Sequence, residues 1–169
     1  KKLPPPLIRR SQGDYQETAI HSVLSMLRSG SPRTGMVIMA TGLGKTFTAA
    51  EAIRRADIDR KRRVLVLAHT NQLIYQLEKA FWPFIGPAEP TVVWNQNEKP
   101  TLEALEGSRF IFGSKDSIAI HLSNNGLMPP IDLVVIDECH HAHSKSTAYQ
   151  KILSELRAGT AHGPQLIGL

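Results

Sequence analysis

Short apolar runs of strand length alternate with helical patterns along this sequence, and this alternation restricts the chain to one class of fold. The runs cover residues 35–39, 64–68, 109–112, 133–136 and 165–169, with a weaker one at 91–94. Continuous apolar runs, as opposed to alternating ones, indicate strands that are buried on both faces. Strands that alternate with helices form parallel sheets covered by helices on both sides. We therefore predict an α/β fold with a mainly parallel sheet flanked by helices on both faces.

Helical patterns fill several of the segments between these runs. Apolar residues at positions 19, 20, 23, 24 and 27 recur at steps of three and four, which predicts the first helix. Further helices are predicted at 46–55, 71–81 and 148–157. The 169 residues show no internal repeat and no second-domain boundary, so we predict one domain of ordinary size.

A glycine-rich segment, MATGLGKT over residues 39–46, lies between the first predicted strand and the next predicted helix. Its glycines let the backbone turn tightly and present N–H groups to phosphate oxygens, and the following helix adds the positive end of its dipole. Lys45 would reach the β- and γ-phosphates of ATP, and the Thr46 hydroxyl would bind Mg²⁺. The strict pattern has a glycine where Met39 stands. The predicted nucleotide-binding residues of this loop are Thr41, Gly42, Leu43, Gly44, Lys45 and Thr46.

Two adjacent acidic residues, Asp137 and Glu138, follow directly on the clearest predicted strand, residues 133–136. Because ligands of parallel sheets gather at the carboxyl ends of the strands, both acids should lie beside the phosphate loop. We predict that Asp137 binds Mg²⁺ and that Glu138 activates the attacking water. Lys45 and Glu138 are thus the predicted catalytic residues of an ATP hydrolase.

The residues after the acidic pair could suggest zinc, but their spacing argues against it. Neighbouring side chains cannot all converge on one tetrahedral ion, and no second Cys/His pair exists elsewhere in the sequence. The residues concerned are Cys139, His140, His141 and His143.

Charge and composition favour a polyanionic partner. Twenty Lys and Arg residues against fifteen Asp and Glu give a net charge of +5, with a pI near 9.6. A basic surface suits nucleic acid, and a merely solvated basic surface is the alternative. The basic stretch 60–63 fits a solvated loop better than a nucleic-acid contact. No apolar run approaches the ~18 residues of a membrane span, and the N-terminus lacks a signal peptide's apolar stretch, so we expect a cytoplasmic protein without a membrane partner.

The phosphate loop and the acidic pair together resemble those of superfamily 2 helicases with Asp-Glu-x-His at the second motif. Residues 39–46 resemble motif I, residues 67–73 motif Ia and residues 137–140 motif II, and residues 112–117 stand where motif Ib belongs. The resemblance covers nearly the whole chain and implies a RecA-like P-loop domain. It further implies contacts to the nucleic-acid backbone and a residue that couples the two sites. The backbone contacts would be Thr70, Ser114 and Lys115, and the coupling residue would be His140.

Residues 13–20 resemble the helicase segment whose glutamine reads the adenine edge, which makes Gln16 the adenine contact. An amide can donate and accept at once, which suits that edge. The arginine often found just before the Tyr-Gln pair is absent, and Arg9 or Arg10 could substitute for it. The alternative is an exposed Gln16 with no role in binding.

The particular form of the motifs favours a DNA motor. Residues 39–46, together with Asp-Glu-Cys-His-His-Ala from residue 137, are similar to the motors of type I and type III restriction enzymes. Residues 13–20 are also similar to the bacterial excision-repair helicase. DNA is therefore favoured over RNA, although double-stranded-RNA sensors share the Asp-Glu-Cys-His form. The open alternatives are an RNA helicase, an ATP-gated clamp or sensor that does not translocate, and a P-loop ATPase unconnected with nucleic acid.

The resemblance also implies a larger protein. In relatives the segment equivalent to residues 165–169 continues into motif III and then into a second RecA-like domain that supplies arginine fingers. We expect residues 1–169 to be the first RecA-like domain, with the C-terminal RecA-like domain absent from this chain. Because such a finger is worth about 10³–10⁵ in rate, we expect the isolated 169 residues to bind nucleotide weakly and hydrolyse it slowly.

Overall fold

The computed structural model describes residues 14–40, 42–57, 59, 61–143 and 145–169, without the side chain of residue 14. The strands in this part of the chain are β1 (Thr34–Met36), β2 (Val64–Ala68), β3 (Thr91–Trp94), β4 (Phe110–Ser114), β5 (Leu133–Ile136) and β6 (Gln165–Gly168). The helices are α1 (Asp14–Ser29), α2 (Lys45–Ala56), α3 (Asn71–Phe81), α4 (Leu102–Gly107), α5 (Lys115–Ser123) and α6 (Thr147–Leu156), with 3₁₀ turns at Trp82–Phe84 and Cys139–His141.

The strands form a single sheet in the order β1-β6-β5-β2-β4-β3, and every neighbouring pair is parallel. Helices cover both faces, so the predicted parallel α/β fold is confirmed. Successive residues of a strand point to opposite faces, and β2 shows the consequence. Val64 and Val66 pack into the cluster that contains α1, α2 and α3. Leu65 and Leu67 pack into the cluster that contains α4, α5 and α6.

The predicted strand at 35–39 is the main correction to the strand boundaries. The observed strand is Thr34–Met36, although the Val37 N–H still donates to the Gly168 carbonyl at 2.8 Å. β1 lies at the edge of the sheet, and Met36 and Ile38 are 65% and 85% exposed. The apolar run therefore does not reflect burial on both faces here, because Val37 is buried whereas Met36 and Ile38 are exposed to solvent.

The apolar patterns did not predict two of the observed helices, α4 and α5. Each begins after a hydroxyl residue that caps it: Thr101 accepts from the Ala104 N–H, and Ser114 accepts from the Ser117 N–H. A side-chain acceptor at this position satisfies an N–H group that has no partner within the helix. The signal for both helices was therefore in capping residues and not in apolar periodicity.

Arg62 and Arg63 of the basic stretch 60–63 are not the solvated residues that the sequence favoured, whereas Lys61 is exposed. The Arg63 guanidinium donates to the carbonyls of Glu106, Ser108 and Pro130 at 2.7–3.0 Å. The Arg62 guanidinium donates to the Leu27 carbonyl at 2.8 Å. These arginines lie just before β2, at the amino-terminal edge of the sheet, and they tie the surrounding loops together.

Among the described residues, no helix combines the length and the apolar character needed to span a bilayer.

A buried ion-pair network fastens the start of β4. Arg109 donates to Asp57 at 2.7 Å, to the Glu89 carboxylate and to the Arg62 carbonyl at 3.0 Å. Asp57 also accepts from the backbone N–H groups of Lys61 and Arg62, both at 3.1 Å. The side chains of Arg109, Asp57 and Glu89 are largely buried, so removing the cation would leave the Asp57 carboxylate in the interior with only its backbone N–H donors.

We predict that Arg109→Met lowers the free energy of unfolding by about 3 kcal/mol, because breaking the buried ion pair leaves the Asp57 carboxylate in the interior without its cation. The matched control is Lys151→Met, which removes a cation from an exposed pair with Glu155 on α6. An exposed pair of this kind contributes about 0–1 kcal/mol. Urea denaturation of both variants measures the difference. Equal destabilisation by the two changes would contradict the structural role given to Arg109.

Candidate nucleotide and nucleic-acid site

The carboxyl ends of the parallel strands meet at one edge of the sheet, which we call the carboxyl edge. The phosphate loop follows β1, and Asp137 and Glu138 follow β5, with β6 between these two strands. Thr70 comes two residues after β2, and Ser114 is the last residue of β4. The nucleotide candidates therefore occupy one half of the carboxyl edge, and the nucleic-acid candidates occupy the adjacent half.

Glycine conformations shape the phosphate loop. Gly42 and Gly44 have φ angles of 83° and 90°, in the left-handed region that other residues avoid. α2 begins directly afterwards at Lys45, and Gly44 caps it without a side-chain acceptor. The backbone N–H groups in the first turn of α2 therefore have no side-chain acceptor at Gly44. The positive end of the α2 dipole faces the loop. Thr41 lies outside the described residues.

Met39 stands where the strict loop pattern has glycine, and the core accommodates its side chain. The thioether packs against the core cluster on the α1–α3 face of the sheet. The hydroxyl of the buried Thr48 lies 3.7 Å from the Met39 sulfur. The side chain therefore fills space beneath α2, and the glycines that follow keep the geometry that the loop requires.

Gln16 lies against the phosphate loop. Its Nε2 donates to the Leu43 carbonyl at 2.7 Å, and a Cβ added at Gly44 would lie 2.8 Å from the same nitrogen. The helix that carries Gln16 is held on α2 by the ion pair between Glu17 and Arg55. The adenine contact expected for Gln16 stays a prediction, and the two arginines considered as its helpers, at positions 9 and 10, lie outside the described residues.

Asp137 is buried at the carboxyl end of β5, where its N–H donates to the Leu67 carbonyl at 3.0 Å. Burial raises the pKa of its carboxyl group, and the neighbouring Glu138 charge raises it further. The Lys45 ammonium lowers the same pKa in opposition. The charge of Lys45, in the phosphate loop, therefore acts directly on the carboxyl group of Asp137, in the second motif.

Glu138 adopts a left-handed backbone conformation, with φ 49° and ψ 53°, and precedes the Cys139–His141 turn. A non-glycine residue in this region stores strain of order 1 kcal/mol or more, which persists only where neighbours hold it. Here the Cys139 N–H donates to the Leu169 carbonyl and the His141 N–H donates to the Glu138 carbonyl, both at 2.9 Å. The side chain stays partly open to solvent, where a water molecule can reach it.

His140, the expected coupling residue, contacts the second acid of the motif. Its Nδ1 lies 3.3 Å from Glu138 Oε2, and its side chain is mostly exposed. Its ring also lies 4.1 Å from the His141 ring, between centroids. In the part of the chain that the structure describes, no group of three or more His, Cys, Asp or Glu side chains is arranged to hold a metal ion by itself.

In the other half of the edge, two of the three expected nucleic-acid residues are helix caps. The Thr70 hydroxyl accepts from the Leu73 N–H at the start of α3, and the Ser114 hydroxyl caps α5. Lys115 is held by Asp116, with 2.7 Å between Nζ and Oδ1. Ala68 pairs with Ser114 in the β2–β4 ladder, so the two helix N-termini lie side by side. Sequence reasoning missed these caps, although a hydroxyl residue ahead of a helix is their usual signal.

Sequence relatives include restriction enzymes and helicases. The chain is 34% identical over 154 residues to the type I restriction enzyme EcoAI endonuclease subunit of Escherichia coli, covering 88% of this chain and 18% of that protein. It is 31% identical to the ATP-dependent DNA helicase mph1 of Sclerotinia sclerotiorum, covering 85% and 11%. It is 27% identical to the putative ATP-dependent helicase IRC3 of Saccharomyces cerevisiae, covering 88% and 21%. The chain thus spans between 11% and 21% of the length of these three relatives.

Solved structures share the fold. The Pyrococcus furiosus Hef helicase domain superposes with a TM-score of 0.75 at 26% identity, over 92% of this chain and 31% of that one. The type ISP restriction-modification enzyme LlaBIII, solved bound to DNA, gives 0.69 at 20% identity, over 95% and 13%, which is a likeness of fold alone. The expected RecA-like fold and the resemblance to superfamily 2 helicases are confirmed. The family described as type III restriction enzyme, res subunit, matches residues 11–168, and the chain belongs to that family.

Proposed function

We propose that this chain is the ATP-binding motor domain of a superfamily 2 DNA helicase or translocase, and that it couples ATP hydrolysis to movement on nucleic acid. The observation that carries the proposal is the carboxyl edge itself. One half bears the phosphate loop and the acidic pair, and the other half bears two adjacent helix N-termini. A cytoplasmic location is part of the proposal.

Nucleotide binding would fall to the phosphate loop. Gly42 and Gly44 turn the backbone so that N–H groups can donate to phosphate oxygens, and Lys45 would neutralise the β- and γ-phosphates. The dipole of α2 favours a negative group at the same place. Gln16 already lies against the loop, and its amide would read the adenine edge.

The oxygen donors near the loop suit a magnesium ion. Mg²⁺ prefers hydroxyl and carboxylate oxygens, and Thr46 and Asp137 provide one of each. The buried Asp137 carboxyl, whose pKa is raised by burial, is a group that a bound cation would stabilise as the carboxylate. When bound, the ion would neutralise charge on the phosphate oxygens. Glu138, next in the chain and partly open to solvent, would orient the attacking water and accept its proton.

The adjacent half of the edge would hold the nucleic-acid backbone. Thr70 and Ser114 sit at the N-termini of α3 and α5, where helix dipoles and first-turn N–H groups favour phosphates. Lys115 would add a cation, although it must share its charge with Asp116. Contacts to the backbone carry no sequence information, so we expect binding with little sequence preference. DNA is favoured because one of the relatives is named a DNA helicase and another is a restriction endonuclease subunit.

A second RecA-like domain of the same protein would complete the site. Support comes from the length of the relatives, of which this chain spans a minor part. The partner domain would supply the arginine that stabilises transition-state charge. Closure of the two domains on ATP would grip the nucleic-acid backbone, and hydrolysis would release it. The isolated 169 residues would accordingly bind nucleotide weakly and turn it over slowly.

Gly44→Ala should weaken binding of a fluorescent ATP analogue about five- to thirtyfold. To keep the loop in its binding conformation the alanine must adopt a φ of 90°, and the left-handed conformation costs a side chain about 1–2 kcal/mol. Gly107→Ala is the matched control, because a Cβ there meets nothing within 4 Å. Titrations of both variants with Mg²⁺ present give the comparison. An unchanged affinity in Gly44→Ala would show that the loop is not the nucleotide site.

Glu138→Gln should separate binding from hydrolysis in the full-length protein. The amide keeps the size of the side chain but cannot accept the proton of water, so we expect kcat to fall by about 10²–10⁴. The dissociation constant for ATP should stay within about threefold, since the phosphate contacts remain. The exposed Glu106→Gln is the control, measured by steady-state phosphate release. Retention of the full kcat in Glu138→Gln would assign the water to another residue.

The function itself is tested by ATP hydrolysis of the full-length protein with double-stranded DNA, single-stranded DNA and RNA, with Lys45→Ala as the blank. We expect stimulation by DNA that weakens steeply as salt rises, because phosphate contacts release counterions. Stimulation by RNA alone would indicate an RNA helicase. No stimulation by any of the three would indicate a P-loop ATPase unconnected with nucleic acid. A strand-displacement assay then distinguishes a translocating motor from a clamp.

A further inference from the structure

Three histidine rings form a column across the carboxyl edge. The His69 ring lies 4.3 Å from the His141 ring, and the His141 ring lies 4.1 Å from the His140 ring, between centroids, with 39° between the planes in each case. His140 Nδ1 then lies 3.3 Å from Glu138 Oε2. We call His69, His141 and His140 the imidazole column. It runs from the end of β2 to the carboxylate of Glu138.

The backbone fixes both ends of the column. Leu67 pairs with Ile136 in the β2–β5 ladder, and the Asp137 N–H donates to the Leu67 carbonyl. His69 comes two residues after Leu67 and directly before Thr70, which caps α3. The His69 ring therefore connects the N-terminus of α3 with the turn that carries His141.

The contact of His69 is a ring contact and not a hydrogen bond. Its Nδ1 is buried and has no hydrogen-bond partner among the described residues, which is an unfavourable state for a polar atom. The rings of the column meet one another, and no group of side chains in the described part of the chain is arranged as a metal site. Desolvation and the nearby His140 and His69 lower the pKa of His141, which favours a neutral ring and so avoids charge repulsion between the rings in contact.

We propose that the ring contact between His69 and His141 is a joint that transmits binding of a nucleic-acid backbone at the α3 N-terminus to the Glu138 carboxylate. The inference rests on the proposed function and adds two positioning residues to it. A phosphate bound at Thr70 would shift the residue next to it, His69. The shift would reach His140, and hence Glu138, through the His141 ring, because packed rings move together.

The test measures nucleic-acid stimulation of ATP hydrolysis by the full-length protein. His69→Ala and His141→Ala each remove one ring of the joint, and the double variant removes both. His69→Phe keeps a ring for the contact with His141 and removes the unpartnered nitrogen. His162→Ala, an exposed histidine after α6, is the control. For each protein we would measure kcat and the KM for ATP with and without double-stranded DNA, and again with single-stranded DNA.

We expect the ratio of stimulated to unstimulated kcat to fall at least about fivefold in each single alanine variant, as for an ordinary coupling between sites. The double variant should lose no more than either single one, because both remove the same joint. His69→Phe should keep most of the stimulation, and His162→Ala all of it. The KM for ATP without DNA should remain unchanged in every variant.

Two results would overturn the proposal: wild-type stimulation in both alanine variants, or an equal fall in kcat with and without DNA. His141 is exposed, so His141→Ala keeps the test available should His69→Ala fail to fold. Absence of stimulation in the wild-type protein would overturn the proposed function itself and the joint with it. Stimulation of the wild type that survives loss of the rings would overturn the joint alone.

Discussion

The parallel ladder between β2 and β5 is the constraint on which the site depends. Leu67 pairs with Ile136, and the Asp137 N–H donates to the Leu67 carbonyl. The carboxyl ends of β2 and β5 therefore lie level with each other. Both strands are buried on both faces, so a shift by one residue would move side chains that are close-packed in one apolar cluster into the other. That packing holds the register. It brings the acidic pair beside His69 and, across β6, toward the phosphate loop.

Three residues with left-handed backbone conformations, Gly42, Gly44 and Glu138, lie at the same edge. Gly42 and Gly44 accept positive φ angles because they have no Cβ, whereas Glu138 adopts one in spite of its side chain. Hydrogen bonds from the following turn hold Glu138, one of them to the carbonyl of Leu169 after β6. The strained residue is thus supported by two strands, which suits a carboxylate whose direction matters for chemistry.

Agreement between sequence and structure is best where the strands are fully buried. The predicted runs at 64–68 and 133–136 coincide with β2 and β5, because continuous apolar character is the signature of packing between helices. The run at 91–94 coincides with β3, although β3 is an edge strand that is only partly buried. The run at 35–39 gave wrong boundaries for β1, where Met36 and Ile38 are exposed. The helices α4 and α5 were not predicted, because the sequence marks their starts with capping hydroxyls and not with apolar periodicity.

The sequence by itself determined the phosphate loop, the acidic pair and the buried strands that carry them, because each is a pattern of residues close together in the chain. Only the tertiary structure decided that Gln16 would lie on the Leu43 carbonyl, and that His69 would meet His141. These pairs are far apart in sequence and carry no shared local pattern. Their contact depends on which strands are neighbours in the sheet and on how the helices pack across it, and those follow from the burial of the whole chain.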